Sequence, residues 1–168
     1  MNGKKYLKTQ IASMWHLQDS ACKDVSDDLV NEKPQGTLSS IGVIWLHLIK
    51  EQDNFVAIIT EKPPLWKTNG WHERFGLEKA PSMGEDWSHY ENLALSTELL
   101  RAYDEAVRNE TRVVLEWTHS NSLDQTVKFF TDNDSKANVW ALMISHTLIH
   151  CGEIAALKGI FGQKGLPF

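Results

Sequence analysis

Apolar residues recur at three- and four-residue steps through four long stretches of this chain, and each stretch predicts an amphipathic helix. The first covers residues 4–31, with Leu7, Ile11, Met14, Gln18, Cys22, Val25 and Leu29 on one stripe. Gln18 is its one long polar member. The run Asn31-Glu32-Lys33-Pro34-Gln35-Gly36 ends it, because proline and glycine both interrupt a helix. The second covers 38–62, with Thr37, Ser39 and Ser40 as candidate N-caps and a stripe of Ile41, Ile44, Leu48, Phe55 and Ile59. His47 and Glu51 fall inside that stripe, and Pro63-Pro64 stops the helix. The third covers 96–118, starting at Ser96, with Leu99, Tyr103, Ala106, Glu110, Val114 and Trp117 on one side. The fourth covers 136–160, with Ser135 as its cap and Gly159, Gly162 and Gly165 closing it.

Two less regular segments separate these helices. Residues 63–94 are broken by prolines and glycines yet carry Trp66, Trp71, Phe75 and Trp87, so an ordered crossover packed by its rings is expected, with a helical turn in it. Residues 119–135 are turn-rich around a β-compatible centre at Thr126–Phe130. Four long amphipathic helices in one chain predict an all-α four-helix bundle. The short first link makes helices one and two antiparallel, and the long crossover lets helices two and three run parallel, giving up-down-down-up. One domain over residues 1–168 is expected.

Composition narrows the function. The net charge of −5 over 168 residues leaves no excess of cations to displace counterions from phosphates, which argues against a nucleic-acid partner. No run of 18 apolar residues is present and no apolar segment follows the basic N-terminus, so neither a membrane span nor a signal peptide is expected. Cys22 and Cys151 are too few for a disulfide framework, which suggests a reduced, cytoplasmic setting.

The chemistry concentrates in the fourth helix. His146 and His150 are four residues apart and so share one face, and with Met143 both lie within about 40° of Val139 on the wheel. Two imidazoles one turn apart on a core face can chelate a metal or sit hydrogen-bonded in the core. His47 and His146 each lie about ten residues into their helices, so a bundle in register brings three imidazoles to one level. Three neutral imidazoles form a facial ligand set with at least one coordination position left open. Thr147 stands where a zinc-peptidase His-Glu-x-x-His motif needs its general base, so that motif fails. A di-iron site fails as well, since no Glu precedes either histidine by three residues. Gln18, Glu51, Tyr103 and Glu110 face inward on their wheels and would line the pocket or hydrogen-bond the histidines. His16 is on a wet face, His72 and His89 are in the crossover, Cys151 reads as a packed thiol, and Glu153 as a solvated rim charge.

His47, His146-x-x-x-His150 and the following Gly152-Glu153-Ile154-x-x-Leu157-x-Gly159 resemble the DinB-like (DinB/YfiT-like) four-helix metalloproteins, over nearly the whole chain. The crossover segment Gly70-Trp71-x-Glu73-Arg74-Phe75-Gly76 resembles one branch of the same family. The resemblance implies an up-down-down-up bundle with a divalent metal, zinc or nickel foremost, on the three histidines. It also implies, for some members, a transferase or isomerase that uses a low-molecular-weight thiol such as bacillithiol, mycothiol or glutathione. In the mycothiol-dependent isomerase branch a Glu replaces the first histidine of the pair. His146 stands there in this chain, so that branch's activity does not carry over.

These observations define an expectation and two rivals. The expectation is a thiol-dependent S-transferase acting on a small-molecule substrate, with no catalytic residue assigned. One rival is a metal-dependent hydrolase with Glu51 as base. The other is a non-catalytic metal-binding protein of the stress response. A homodimer is expected as an option for any of them.

Overall fold

The computed structural model describes residues 2–85, 89–131 and 133–166; Trp87 lies outside the described residues. The chain is mainly helical. Four long helices, α1 (Gly3–Cys22), α3 (Ile41–Thr60), α6 (Thr97–Trp117) and α7 (Lys136–Ile160), are joined by the short helices α2 (Asp27–Asn31), α4 (Leu65–Thr68) and α5 (Trp71–Arg74). A two-stranded ribbon, β1 (Thr126–Val127) antiparallel to β2 (Asp134–Ser135), precedes α7. It realises the start of the β-compatible segment.

The helix starts follow from capping chemistry. Ser40, Ser96 and Ser135 each accept a hydrogen bond from the backbone N–H three residues on, satisfying a donor that the first turn leaves without a partner. The predicted first helix breaks in two. Asp24 adopts a left-handed conformation with φ of 60°, and Ser26 then caps α2 through Leu29 N. The stripe continues across the break, with Val25 and Leu29 buried, so the periodicity alone does not reveal it. At the other end of α3, Glu61 is left-handed with φ of 56° ahead of the two prolines.

Side-chain contacts give the helix directions. Lys4 and Lys8 at the start of α1 reach Glu116 near the end of α6, while Arg101 near the start of α6 donates to Cys22 O at the end of α1, so these two helices are antiparallel. His47 and Gln52 of α3 meet His146 and Thr147 of α7, and Lys158 near the end of α7 donates to Ala21 O and Lys23 O at the end of α1. Gly42, at the start of α3, is held tightly. A Cβ there would stand 2.7 Å from Val30 O of α2 and 2.9 Å from the Leu95 side chain.

The core has two apolar clusters. One gathers Cys22, Leu46, Leu48, Ile49, Leu100, Val107 and Ile154 with Trp66, Trp71 and Phe75 of the crossover. Among the described residues the crossover packs on the core through Trp66, Trp71 and Phe75, and Trp66 and Trp71 stack near Tyr103. The other gathers Leu7, Ile11, Met14, Phe55, Ile59, Leu115, Val139, Trp140 and Met143.

Two predicted stripes are rotated. On α6 the buried line is Leu100, Tyr103, Val107, Thr111 and Leu115, while Trp117 is 78% exposed. On α7 the buried face centres on Trp140, Met143, Thr147, Cys151, Ile154 and Lys158, which moves His146 to its edge. α7 is also, among the described residues, the one helix long and apolar enough to cross a membrane by length and composition; in this fold it packs against α1 and α3.

Candidate metal centre

His47 on α3 and His146 and His150 on α7 come together where the two helices cross. His47 Nε2 lies 3.2 Å from His146 Nε2, and His146 Nε2 lies 3.2 Å from His150 Nε2. One ligand atom from each falls within 4.8 Å of the others. The ring planes are steeply inclined, at 50°, 82° and 69° for the three pairs, so the imidazoles converge on a point rather than stack. A zinc–imidazole bond is about 2.0–2.1 Å long, so two nitrogens at tetrahedral angles on one ion stand about 3.3–3.4 Å apart. The observed spacing fits that requirement, and the donor set suits a borderline divalent ion.

The electrostatics agree. Burial, then the neighbouring imidazole of His150, then those of His146 and the Lys50 ammonium, pull the His47 pKa from 6.5 to about 3. Burial and then His150 pull His146 to about 4. Both are therefore neutral at physiological pH, and a metal ligand must be neutral to offer its lone pair. His150 Nδ1 is 2.6 Å from Glu153 Oε2, a hydrogen bond in which the ring N–H donates to the carboxylate. That bond fixes the tautomer and turns the Nε2 lone pair toward the other two rings. Phe55 meets His146 edge to face at 5.8 Å and packs in turn on Phe129, walling one side of the cluster with apolar surface.

The other residues singled out in the sequence have partners of their own. Gln18 is buried, donating to Asp104 and accepting from Gln52. Glu51 is buried one turn beyond His47, held by Lys50 and Asn54 at 3.2 and 3.1 Å. Tyr103 donates to Asp53 at 2.7 Å. Glu110 is half-buried and lines a cavity of about 500 Å³ with Ile59, Val114, Trp117 and Trp140, beyond Phe55 from the histidines along α3. His16 is exposed, His72 contacts Trp66 O, and His89 pairs with Glu85. Cys151 is buried, and burial pushes its thiol up to about 12, so it is a packed, protonated group.

Two participants were not picked out from the pattern. Glu153 was expected as a rim charge, and it is half exposed, yet it holds His150; its spacing of three residues from a histidine on the same helix is the signal that marks it. Asp53 is 2% exposed and accepts from Leu65 N, Trp66 N and Tyr103 Oη, tying the crossover to α3. Burial raises its pKa against the pull of those three donors. Nothing in the local sequence foretells it, because its partners are brought in by the crossover.

Fold and site together define an all-α protein with a three-imidazole group able to hold a metal ion. A family model described as the DinB superfamily matches residues 10–154, and the chain belongs to that superfamily. The crystal structure of the conserved protein of a locus from Enterococcus faecalis has the same fold, with a TM-score of 0.79 at 17% identity over 97% of this chain and 99% of that one. No curated protein matches the chain.

Proposed function

We propose that this chain is a metalloenzyme in which His47, His146 and His150 hold one divalent ion, zinc or nickel, and that it is an S-transferase for a low-molecular-weight thiol. The convergence of three Nε2 atoms carries the metal reading. Membership of the DinB superfamily supports it. An up-down-down-up bundle belongs to the same reading and is supported by the antiparallel contacts of α1 with α6 and of α3 with α7, where His47 meets His150 and Phe55 meets His146.

Held by the three histidines, a divalent ion would supply Lewis acidity and would lower the pKa of a thiol placed there. The protein's own residues prepare that position. His47 and His146 remain neutral because they are desolvated. Glu153 keeps the His150 proton on Nδ1 and the Nε2 lone pair directed inward. Phe55 and Phe129 keep water from one flank, which strengthens charge interactions at the site. Glu51 accepts from Lys50 and Asn54 through Oε1, a buried ion pair that disfavours it as a hydrolytic base.

Metal analysis of the protein as isolated tests the first part. Near-stoichiometric zinc or nickel is expected, with loss of the metal in His47→Ala. Equal metal content in that variant would break the link between α3 and α7 on which the site depends. The second part is tested by incubating the metal-loaded protein with bacillithiol, mycothiol or glutathione and a panel of small electrophiles. Conjugation above the uncatalysed rate is expected with at least one thiol, and its absence across the panel would leave a metalloprotein without this activity.

A further inference from the structure

α7 presents a problem of orientation. Its exposed face carries Leu148, Ile149 and Ile160, at 37%, 62% and 63% exposure, so apolar residues occupy both its inner and its outer sides. Hydrophobic burial is non-directional. A helix apolar on most sides can turn about its axis with little change in buried area, and one residue of slip turns a side chain by about 100°. Such a turn would carry His146 and His150 away from His47. Something other than apolar contact must set the angle.

A chain of buried hydrogen bonds crosses all four long helices at this level. Arg108 of α6 donates to Asp104 at 3.0 Å, Gln18 of α1 donates to Asp104 at 2.9 Å, and Gln52 of α3 donates to Gln18 at 2.8 Å. Gln52 also donates to Thr147 of α7 at 3.2 Å, and the Thr147 hydroxyl donates to Met143 O. Gln18, Gln52 and Thr147 are at most 1% exposed. The chain has one sense only. The Asp104 carboxylate can only accept, so the Gln18 amide group faces it and the Gln18 oxygen faces Gln52. That in turn directs the Gln52 amide hydrogens at both Gln18 and Thr147. On α1, α3 and α7 these residues lie between members of the two apolar clusters, so they form a polar layer at mid-height. Thr147 sits beside His146 in the chain and less than a turn from His150.

We infer that Gln52, acting through Thr147, is a positioning residue that sets the rotation of α7 and thereby brings His146 and His150 onto His47. The inference rests on the three-histidine reading for its consequence but on the hydrogen-bond geometry for its cause. Buried polar groups of this kind specify register where apolar packing does not.

The test is the double variant Gln18→Met/Gln52→Met. It replaces two buried amides by apolar side chains of similar volume, while Asp104 keeps Arg108 and the Thr147 hydroxyl keeps Met143 O, so neither former partner is left unbonded. In the metal-free protein, NMR contacts between the His47 and His146 ring protons are expected in the parent and weakened at least several-fold in the double variant, at unchanged helix content. Co(II) titration is expected to show affinity lower by about 10–100-fold with an altered d–d spectrum. Thr147→Val, which keeps the shape and removes the hydroxyl, is expected to act in the same direction, and Thr147→Ser to restore the parent behaviour. Undiminished ring contacts in the double variant and in Thr147→Val would overturn the inference. If instead the parent binds no Co(II) while the ring contacts are lost as expected, the metal reading fails and the positioning role stands.

Discussion

α6 and α3 are neighbours of similar length, and they use polarity differently. α6 is mostly one-sided: Leu100, Tyr103, Val107 and Leu115 are buried, Glu98, Arg101, Glu105, Arg112 and Glu116 are exposed, and its buried polar residues are Asp104, Arg108 and Thr111. α3 has no exposed residue at all from Ile41 to Thr60. Its polar residues are therefore inside, including the unbroken run Lys50, Glu51, Gln52, Asp53 and Asn54. Each of those five has a partner: Glu51 for Lys50 and Asn54, Gln18 and Thr147 for Gln52, and the crossover backbone and Tyr103 for Asp53. In α6 polarity marks the outside except at the Asp104–Arg108 pair and Thr111. In α3 it marks where other elements must dock, and the candidate metal centre belongs to that second kind of helix.

Substitutions that separate these uses should differ in size. Asp53→Ala should have the largest effect, since it leaves two backbone N–H groups and a tyrosine hydroxyl buried without an acceptor at about 1–3 kcal/mol each. A large fall in the urea midpoint is expected; a midpoint near the parent's would mean that the buried run of α3 is as replaceable as a surface one. Gly42→Ala comes next. Its Cβ would meet the Val30 carbonyl at 2.7 Å, and relieving that contact by moving α2 should cost about 1–3 kcal/mol. An unchanged midpoint would show that α2 is not clamped to α3. On the one-sided helix, Ser96→Ala should cost only about 1 kcal/mol, the price of one cap bond. A loss as large as that of Asp53→Ala would erase the distinction between the two helices.

The smallest expected effect is on pH dependence. His47 and His146 have folded-state pKa values of about 3 and about 4, below their ordinary 6.5. Between those values the unfolded chain binds protons that the folded chain refuses, so metal-free stability falls as pH drops from about 6.5 toward 4 and is fully present above that window. Both rings are part-exposed, so screening reduces the slope. Urea midpoints at pH 7.5 and 5 should differ less in His47→Asn than in the parent. An identical pH response in the two proteins would show that His47 is not held neutral by its surroundings.

Much of the architecture was legible before any coordinates. Ser96 and Ser135 cap the helices they are expected to cap, and Ser40 does so from among the candidates Thr37, Ser39 and Ser40, because capping depends mainly on the residue and the next three positions. His47, His146 and His150 could be singled out because they interrupt apolar stripes near the middle of their helices, and the structure brings the three together. The break at Asp24 was not legible, since the apolar stripe runs through it. The places of Glu51, Tyr103 and Glu110 were not either: a wheel shows that a side chain points inward but not at which level it meets a partner.

What the sequence determined by itself is local: helix extents, caps, and which residues stand one turn apart. The tertiary structure alone decided the rotation of α6 and α7, the grip of Glu153 on His150, and the run of partners along Lys50–Asn54. The physical reason is clearest in α7. A helix that is apolar on most of its circumference has no preferred face of its own, so its angle is set by directional hydrogen bonds to side chains distant in sequence.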